Sequence, residues 1–170
     1  DDPSTQDFYR EMIATGHTPE EALREAQLVS RDNARSPMQW TAGVNAGFST
    51  ERPWLGVNPD SSEWNAESQI GKKDSIFSFY KEMIALRKSS EAIRRGDLRF
   101  ILPDDPAIFA FERTLGSESY FLIADFSSDP VPFPVDLSGY GDVVISNTGR
   151  VAIDKDMVLE PYEAIVIRKR

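Results

Sequence analysis

Ile76-Phe77-Ser78-Phe79-Tyr80-Lys81-Glu82-Met83-Ile84-Ala85-Leu86-Arg87-Lys88 is the strongest helical stretch of the chain, and what flanks it sets the fold. Ile76, Phe79, Tyr80, Met83 and Leu86 recur at helical spacing, and Phe77 and Ile84 widen the stripe past half the circumference. A helix that apolar needs cover on two sides. Asp74 stands as its cap, a further turn is predicted over 89–95, and Gly96 stops it. After Gly96 the period changes from helical to alternating. Segments 98–102, 107–113 and 119–126 are predicted strands. The last two are joined by a hairpin through Leu115-Gly116-Ser117, with Tyr120, Leu122, Ala124 and Phe126 on one face. Segments 131–137, 142–146, 157–159 and 163–168 follow at short intervals, separated by Pro and Gly. Several short strands with regular turn signals indicate an antiparallel sandwich or barrel. No internal repeat or low-complexity tract interrupts the pattern.

Upstream, residues 4–15 form a predicted short helix with Phe8, Met12 and Ile13 on one side, broken by Gly16 and His17. Thr18-Pro19-Glu20-Glu21 starts a second. Thr18 is a good N-cap, Pro19 suits the first helical position, and Glu21 completes a capping box. Ala22, Leu23, Ala26 and Val29 give this helix a weak apolar stripe. It leads into Ser30-Arg31-Asp32-Asn33-Ala34-Arg35-Ser36-Pro37-Met38-Gln39-Trp40, which has no regular period. Pro37 keeps Ser36 out of the helical region, so the helix ends before it. Two arginines, a carboxylate, an amide and a tryptophan in so short a loop suit recognition of a polar ligand. The alternative is that Arg31 and Asp32 brace a turn and Trp40 fills a core, and spacing alone favours it. From 41 to 73 the chain is rich in Gly, Asn and Pro yet carries Phe48, Trp54, Leu55 and Trp64. That composition indicates an ordered loop pinned to a surface by its aromatics.

The 170 residues allow one good-sized domain or two small ones. A net charge of −9 argues against nucleic acid or an anionic membrane as the main partner. The absence of cysteine excludes disulfides and thiolate metal sites and fits a reducing compartment, so a cytoplasmic location is expected. No apolar run approaches the roughly 20 residues that span a bilayer, and no signal peptide is visible. An opening on Asp1-Asp2-Pro3 without an initiator Met fits a processed or excised piece. His17 is the only histidine and sits in a turn, where a solvated role is expected, so no Ser/His/Asp set can be built on another. Glu20, Glu21, Glu82 and Glu91 fall on helix faces or near helix starts. Asp32 is the one carboxylate in a suggestive setting, first as a bracing partner of Arg31 or Arg35. Gly-rich phosphate loops and metal-ligand clusters are absent, so no cofactor or metal is expected.

The loop at 30–40, then Asn45-Ala46-Gly47-Phe48, then Pro53-Trp54-Leu55 with Val57-Asn58-Pro59, resembles the α-glucosidase and oligo-1,6-glucosidase branch of the α-amylase-type glycoside hydrolases. Asp74-Ser75-Ile76-Phe77 with Tyr80-Lys81 and Leu86-Arg87-Lys88 is similar to the last barrel helix of that family. The stretches 121–127 and Leu159-Glu160-Pro161-Tyr162-Glu163-Ala164 are similar to its C-terminal β domain. The resemblance covers essentially the whole chain, strongly over 30–90 and more loosely after 96. It implies an α+β fold: a helical segment from the end of a (β/α)8 barrel, residues 1–95, followed by an antiparallel β-sandwich C-terminal domain, residues 96–170.

A barrel alone takes about 200 residues or more, so the chain is expected to be the last portion of such an enzyme. The family's nucleophile, acid/base and third carboxylate then lie upstream of Asp1. No catalytic residue is assigned here, and the isolated chain is expected to be inactive. What carries over is an arginine on the floor of a closed pocket. There it pairs with an upstream Asp and fixes hydroxyls of the terminal glucose of a short α-1,6- or α-1,4-glucoside. Arg35 is the first choice for that role and Arg31 the second. Ser36 stands where the family commonly has Thr, and Asp125 where Asn is frequent. An uncovered face on the 76–86 helix would make the isolated chain self-associate. Within the same clan a sucrose isomerase or trehalose synthase shares parts of the loop, though Asn33-Ala34-Arg35 favours the glucosidase. A transporter subunit would need a membrane anchor, which the chain does not display. A stand-alone carbohydrate-binding β module would need a row of exposed aromatics, whereas Phe109, Phe111, Tyr120 and Phe121 alternate as core residues should.

Overall fold

The computed structural model describes residues 2–169, and the chain divides into two compact units between Lys72 and Lys73. In the first unit α1 (Pro3–Ala14) packs against α2 (Pro19–Val29). The turn between them is closed locally. The Thr15 hydroxyl donates to the Glu11 and Met12 carbonyls, and the exposed His17 ring lies against Thr15 Oγ1 and the Met12 carbonyl. The capping box is complete: Glu21 N–H donates to Thr18 Oγ1 at 3.2 Å, and Thr18 N–H donates to Glu21 Oε2 at 2.9 Å. Only half of the predicted α2 stripe is covered, since Ala22 and Ala26 are buried while Leu23 and Val29 face out. The long irregular segment is ordered by main-chain bonds and by polar side chains, and holds one more short helix, α3 (Ala66–Gln69), capped by buried Asn65.

In the second unit α4 (Ile76–Ser89) and α5 (Glu91–Arg95) lie on one face of a five-stranded antiparallel sheet. The cap of α4 is Ser75, one residue later than expected, with its hydroxyl accepting the Ser78 N–H at 3.2 Å. The strands are β1 (Asp97–Ile101), β2 (Ile108–Leu115), β3 (Glu118–Asp125), β4 (Val131–Pro132), β5 (Tyr140–Ser146), β6 (Val158–Leu159) and β7 (Ala164–Lys169). The sheet order is β1-β2-β3-β7-β5, with β4 and β6 paired as a separate ribbon. The β2–β3 hairpin turns at Gly116-Ser117, where Gly116 takes φ +58°, a value glycine adopts without strain. Segment 131–137 shrinks to two strand residues. Pro132 and Pro134 cannot donate to a ladder, yet Phe133 and Leu137 still enter the core.

Alternation sorts the sheet into two faces. Phe121, Ile123, Ile165 and Ile167 face a core completed by Phe133, Leu137, Met157 and Leu159, so the second layer of the sandwich is the ribbon with its flanking loops. Tyr120, Val166 and Ile145 face the helices, where Ala92 is buried and Phe79, Met83 and Leu86 pack partly buried. The wide stripe of α4 is thereby covered on one side. Ile76, Phe77, Tyr80 and Ile84 remain exposed. Phe109 and Phe111 are a correction to the expected core: Phe109 is exposed and Phe111 only half-buried, stacked with exposed Phe100 on the helix side of the sheet, where Phe111 borders a cavity shared with Met83 and Ile84 of α4 and Ile93 of α5.

Gly96 marks the passage from helix to sheet by close approach. A Cβ there would lie 2.4 Å from the Ala92 carbonyl oxygen and 2.7 Å from that of Thr114, both backbone atoms that cannot swing away. Gly96→Ala is expected to destabilise the second unit by about 1–3 kcal/mol, as other forced overpacking does, read as a lower urea midpoint. Gly116→Ala, with open space around its Cβ, should cost only the strain of its positive φ. An unchanged midpoint for Gly96→Ala would refute the close contact.

Two buried carboxylates tie separate segments of the β unit together. Glu112 accepts from the Tyr140 hydroxyl and from Arg99 Nε and Nη2, at 3.2 and 2.7 Å for the arginine. Burial pushes its carboxyl up, but these donors and the charges of Arg99 and Lys169 outweigh that and leave it below the ordinary range. The Tyr140 hydroxyl is pushed up by burial and by donating to Glu112. Glu163, fully buried, accepts from Arg150 Nε at 2.7 Å, Arg150 Nη2 at 2.8 Å, Thr148 Oγ1 at 2.8 Å and the Glu160 N–H at 2.9 Å. Arg150 also donates to the Val158 carbonyl. Asp125, where the sequence has an acid in place of the family's frequent Asn, accepts the Ser127 N–H and hydroxyl and closes a turn.

Candidate functional site

The loop after α2 begins as a single 3-10 turn, Arg31–Ala34, capped by Ser30. Its two arginines end in different settings. Arg31 reaches back to the start of α1. Its Nε donates to Asp2 Oδ2 at 3.1 Å, its Nη2 donates to Asp2 Oδ1, and the same Nη2 donates to Ser4 Oγ at 2.8 Å. The Asp2 side chain is 1% exposed, whereas that of Arg31 is 58% exposed. One edge of the guanidinium is thus locked on a buried carboxylate while the rest stays open. Hydrogen bonds from Arg31 hold the Asp2 carboxyl well below the usual range, and Asp2 raises Arg31 in return. Arg35 has only Nη1 near Asp32 Oδ1 at 3.4 Å, a long contact at the limit of hydrogen bonding. Asp32 in turn accepts the Asp2 N–H at 2.8 Å on Oδ2.

The loop therefore brings together Arg31, Asp2, Asp32 and Arg35 as alternating charges. Asp32 braces the turn, as expected, but the partner of Arg31 is Asp2. Sequence reading missed Asp2. As an Asp before Pro3 it signals a helix cap, and a contact 29 residues away leaves no local trace. Chemically, Asp2 kept ionised cannot serve as a general acid near neutral pH.

The rest of the loop is held by main-chain bonds. The Ala46 carbonyl accepts both the Trp40 N–H at 2.9 Å and the Thr41 N–H at 3.0 Å. Asn45, Ala46 and Gly47 all take the left-handed conformation, with φ of 50°, 54° and 67°. Two side-chain bonds from Asn45 to the Ser49 and Glu51 carbonyls, at 3.0 Å each, fix this strained turn. Gln39 donates its amide to the Trp64 carbonyl, and its own carbonyl accepts the Ala66 N–H. Trp40 does not fill a core: it is 52% exposed, and Phe48, Trp54 and Trp64 are exposed as well. Main-chain bonds and the Asn45 and Gln39 side chains order the loop here, and the apolar faces of its aromatics are exposed.

The β unit offers a second aromatic surface. Phe100, Phe109 and Phe126 are exposed and line a cleft of about 620 Å³ with prolines and aliphatics. Its acidic residue, Asp105, already accepts the Ala107 and Ile108 N–H groups through Oδ1. The aromatics are there, contrary to the alternation argument, but side-chain donors for sugar hydroxyls are missing from the lining. Among the described residues no group of three or more His, Asp or Glu could hold a metal ion, and no helix is long and apolar enough to cross a membrane.

Comparison with known proteins places these features. The description "Alpha amylase, catalytic domain" matches residues 6–96. The oligo-1,6-glucosidase of Bacillus cereus is 39% identical over 176 residues, covering 98% of this chain and 31% of that protein. The solved trehalose-6-phosphate hydrolase of Bacillus licheniformis superposes with a TM-score of 0.87 at 34% identity, covering 99% of this chain and 31% of its own. A solved isomaltulose synthase from Erwinia rhapontici NX5 gives 0.84 at 32% identity, with 99% and 31% coverage. The chain thus spans about a third of the length of these relatives.

Proposed function

The chain belongs to the α-amylase family of glycoside hydrolases, and from that membership we propose that it is the C-terminal portion of an α-glucosidase hydrolysing short α-1,6- or α-1,4-glucosides with retention. Residues 1–95 are the end of the catalytic (β/α)8 barrel domain and residues 96–170 its C-terminal all-β domain. The barrel places its active site on loops at the C-terminal ends of its strands. Retention needs a nucleophile and an acid/base carboxyl about 5–5.5 Å apart, and these come from the preceding part of the polypeptide. The exposed face of α4 at Ile76, Phe77, Tyr80 and Ile84 is the face that part covers, and in its absence the surface for self-association. No cofactor, metal, nucleic acid or membrane enters the reaction, and the enzyme works in the cytoplasm.

The observation that carries the reading is the half-open, pre-oriented guanidinium in the loop at 30–40. With Nε and Nη2 of Arg31 engaged by Asp2 and Ser4, its Nη1 is left to donate to hydroxyls of the terminal glucose. Sequence alone puts Arg35 first. Geometry supports Arg31 ahead of it, because a donor already fixed by a buried carboxylate loses little freedom on binding. Arg35 then acts mainly on Asp32.

The experiment is glucose release from isomaltose, maltose and sucrose by the full-length enzyme and by the 170-residue chain, with the anomer of the first product read by NMR. The full-length enzyme is expected to release α-glucose from isomaltose, and the folded 170-residue chain none. The second reading, an isomerase, draws on the likeness to isomaltulose synthase. An isomeric disaccharide as the main product from sucrose would favour it. Robust release by the 170-residue chain would put the catalytic pair inside it, with Asp32 the first residue to mutate.

A further inference from the structure

We propose that Asp2 is a positioning residue for sugar binding: its buried carboxylate holds the guanidinium of Arg31 in the one orientation that leaves its outer edge free for glucose hydroxyls. The inference rests on the assignment of Arg31 as a glucose contact. Asp2 stands at the N-cap of α1, where an aspartate ordinarily accepts an N–H of the first helical turn. Its carboxylate makes no well-formed capping bond, and the Ser4 N–H acts on it only as a minor partner. Both oxygens instead take Arg31, and Oδ2 also takes the Thr5 hydroxyl at 2.9 Å. The carboxylate is turned chiefly toward the loop. A fork held on both oxygens has its plane and its angle fixed, which one contact would not do. The Asp2 N–H on Asp32 extends the same hold to the second carboxylate, so α1 fixes the loop's whole charge array from one residue. Ser4 Oγ accepts from the same Nη2, which leaves Nη1 outside these bonds and available to a ligand.

Two measurements test this. In the 170-residue chain, the Arg31 Nε–H is followed by nitrogen-edited NMR, assigned with Arg31→Lys. It is expected to be sharp and slow to exchange, and to broaden or vanish in Asp2→Asn while the backbone amide spectrum stays dispersed. An unchanged Nε–H signal in Asp2→Asn overturns the inference without touching the assigned function. In the full-length enzyme, Asp2→Asn is expected to lower kcat/KM on isomaltose about tenfold or more, as a displaced binding group does. A double-mutant cycle separates positioning from mere support. If Asp2 acts through Arg31, then Asp2→Asn adds little to Arg31→Ala. Additive losses would show a general structural role and overturn the inference, leaving the function standing. A neutral Arg31→Ala would remove the glucose contact itself, and with it both readings of this loop.

Discussion

Arg31→Ala in the full-length enzyme is expected to lower kcat/KM on isomaltose by about two to three orders of magnitude. The guanidinium would donate one or two charge-assisted hydrogen bonds to the sugar, each about 1.5–3 kcal/mol where water is excluded. Removal also leaves Asp2 with its carboxylate buried and its main partner gone, so part of the loss comes from the loop shifting. Arg31→Lys should recover little, since an ammonium cannot satisfy both Asp2 oxygens and a pair of hydroxyls in one plane. Arg35→Ala is expected to cost about tenfold or less, because among the described residues its guanidinium makes one long contact, to Asp32 at 3.4 Å. Steady-state kinetics of the three variants decide the order. A large loss for Arg35→Ala beside a mild one for Arg31→Ala would restore Arg35 to first place.

Glu163→Ala is expected to destabilise the β unit by about 3–5 kcal/mol, the cost of removing one partner from a buried, fully bonded ion pair. Arg150, 17% exposed, would keep its charge and lose both carboxylate contacts, while the Thr148 hydroxyl and Glu160 N–H would lose their acceptor. That is a large fraction of a domain's stability. Urea unfolding followed by near-ultraviolet circular dichroism measures it, and a midpoint within error of the unaltered protein would refute the assigned role. The same group sets an acid limit. Burial pushes the Glu163 carboxyl up, but the bonds from Arg150, the Glu160 N–H and Thr148 outweigh burial and hold it below the ordinary range. A lowered folded-state value means that the stabilisation is fully present above the ordinary glutamate range. It is lost as pH falls through the depressed value. The β unit should therefore lose this stability only below the ordinary glutamate range, in strong rather than mild acid, and Glu163→Ala should flatten that dependence.

The parts of the fold that were legible in the sequence are those whose causes are local. Thr18-Pro19-Glu20-Glu21 contains every atom of its capping box, and the structure has both bonds. The change of period at Gly96 and the two-residue turn at Gly116-Ser117 gave the strands around them. Alternation says which side chains share a face. It does not say whether anything covers that face, and Phe109, which alternates as a core residue would, is exposed. The same limit applies to Trp40. Prolines shortened the segment at 131–137 because strand residues need donors as well as apolar side chains. The site was legible as a loop and a pair of arginines. Its internal order was not, because Asp2 and Arg31 are far apart in sequence and meet only when α1 and α2 pack. Glu163 and Arg150 escaped notice for the same reason, though a charge at the head of the apolar run Ala164-Ile165-Val166-Ile167 was a signal available to be read.

The strand order also fixes a timetable for synthesis. β1, β2 and β3 are neighbours in both sequence and space, so the three can pair as soon as they leave the ribosome. β5 cannot, because its only neighbour in the sheet is β7, which is translated later. At about 5–20 residues per second, β5 waits a second or more as an unpaired edge carrying Val143, Val144 and Ile145. The closing strand β7 satisfies two edges at once, that of β3 and that of β5. A premature stop ahead of residue 164 would therefore cost the sheet two of its five strands.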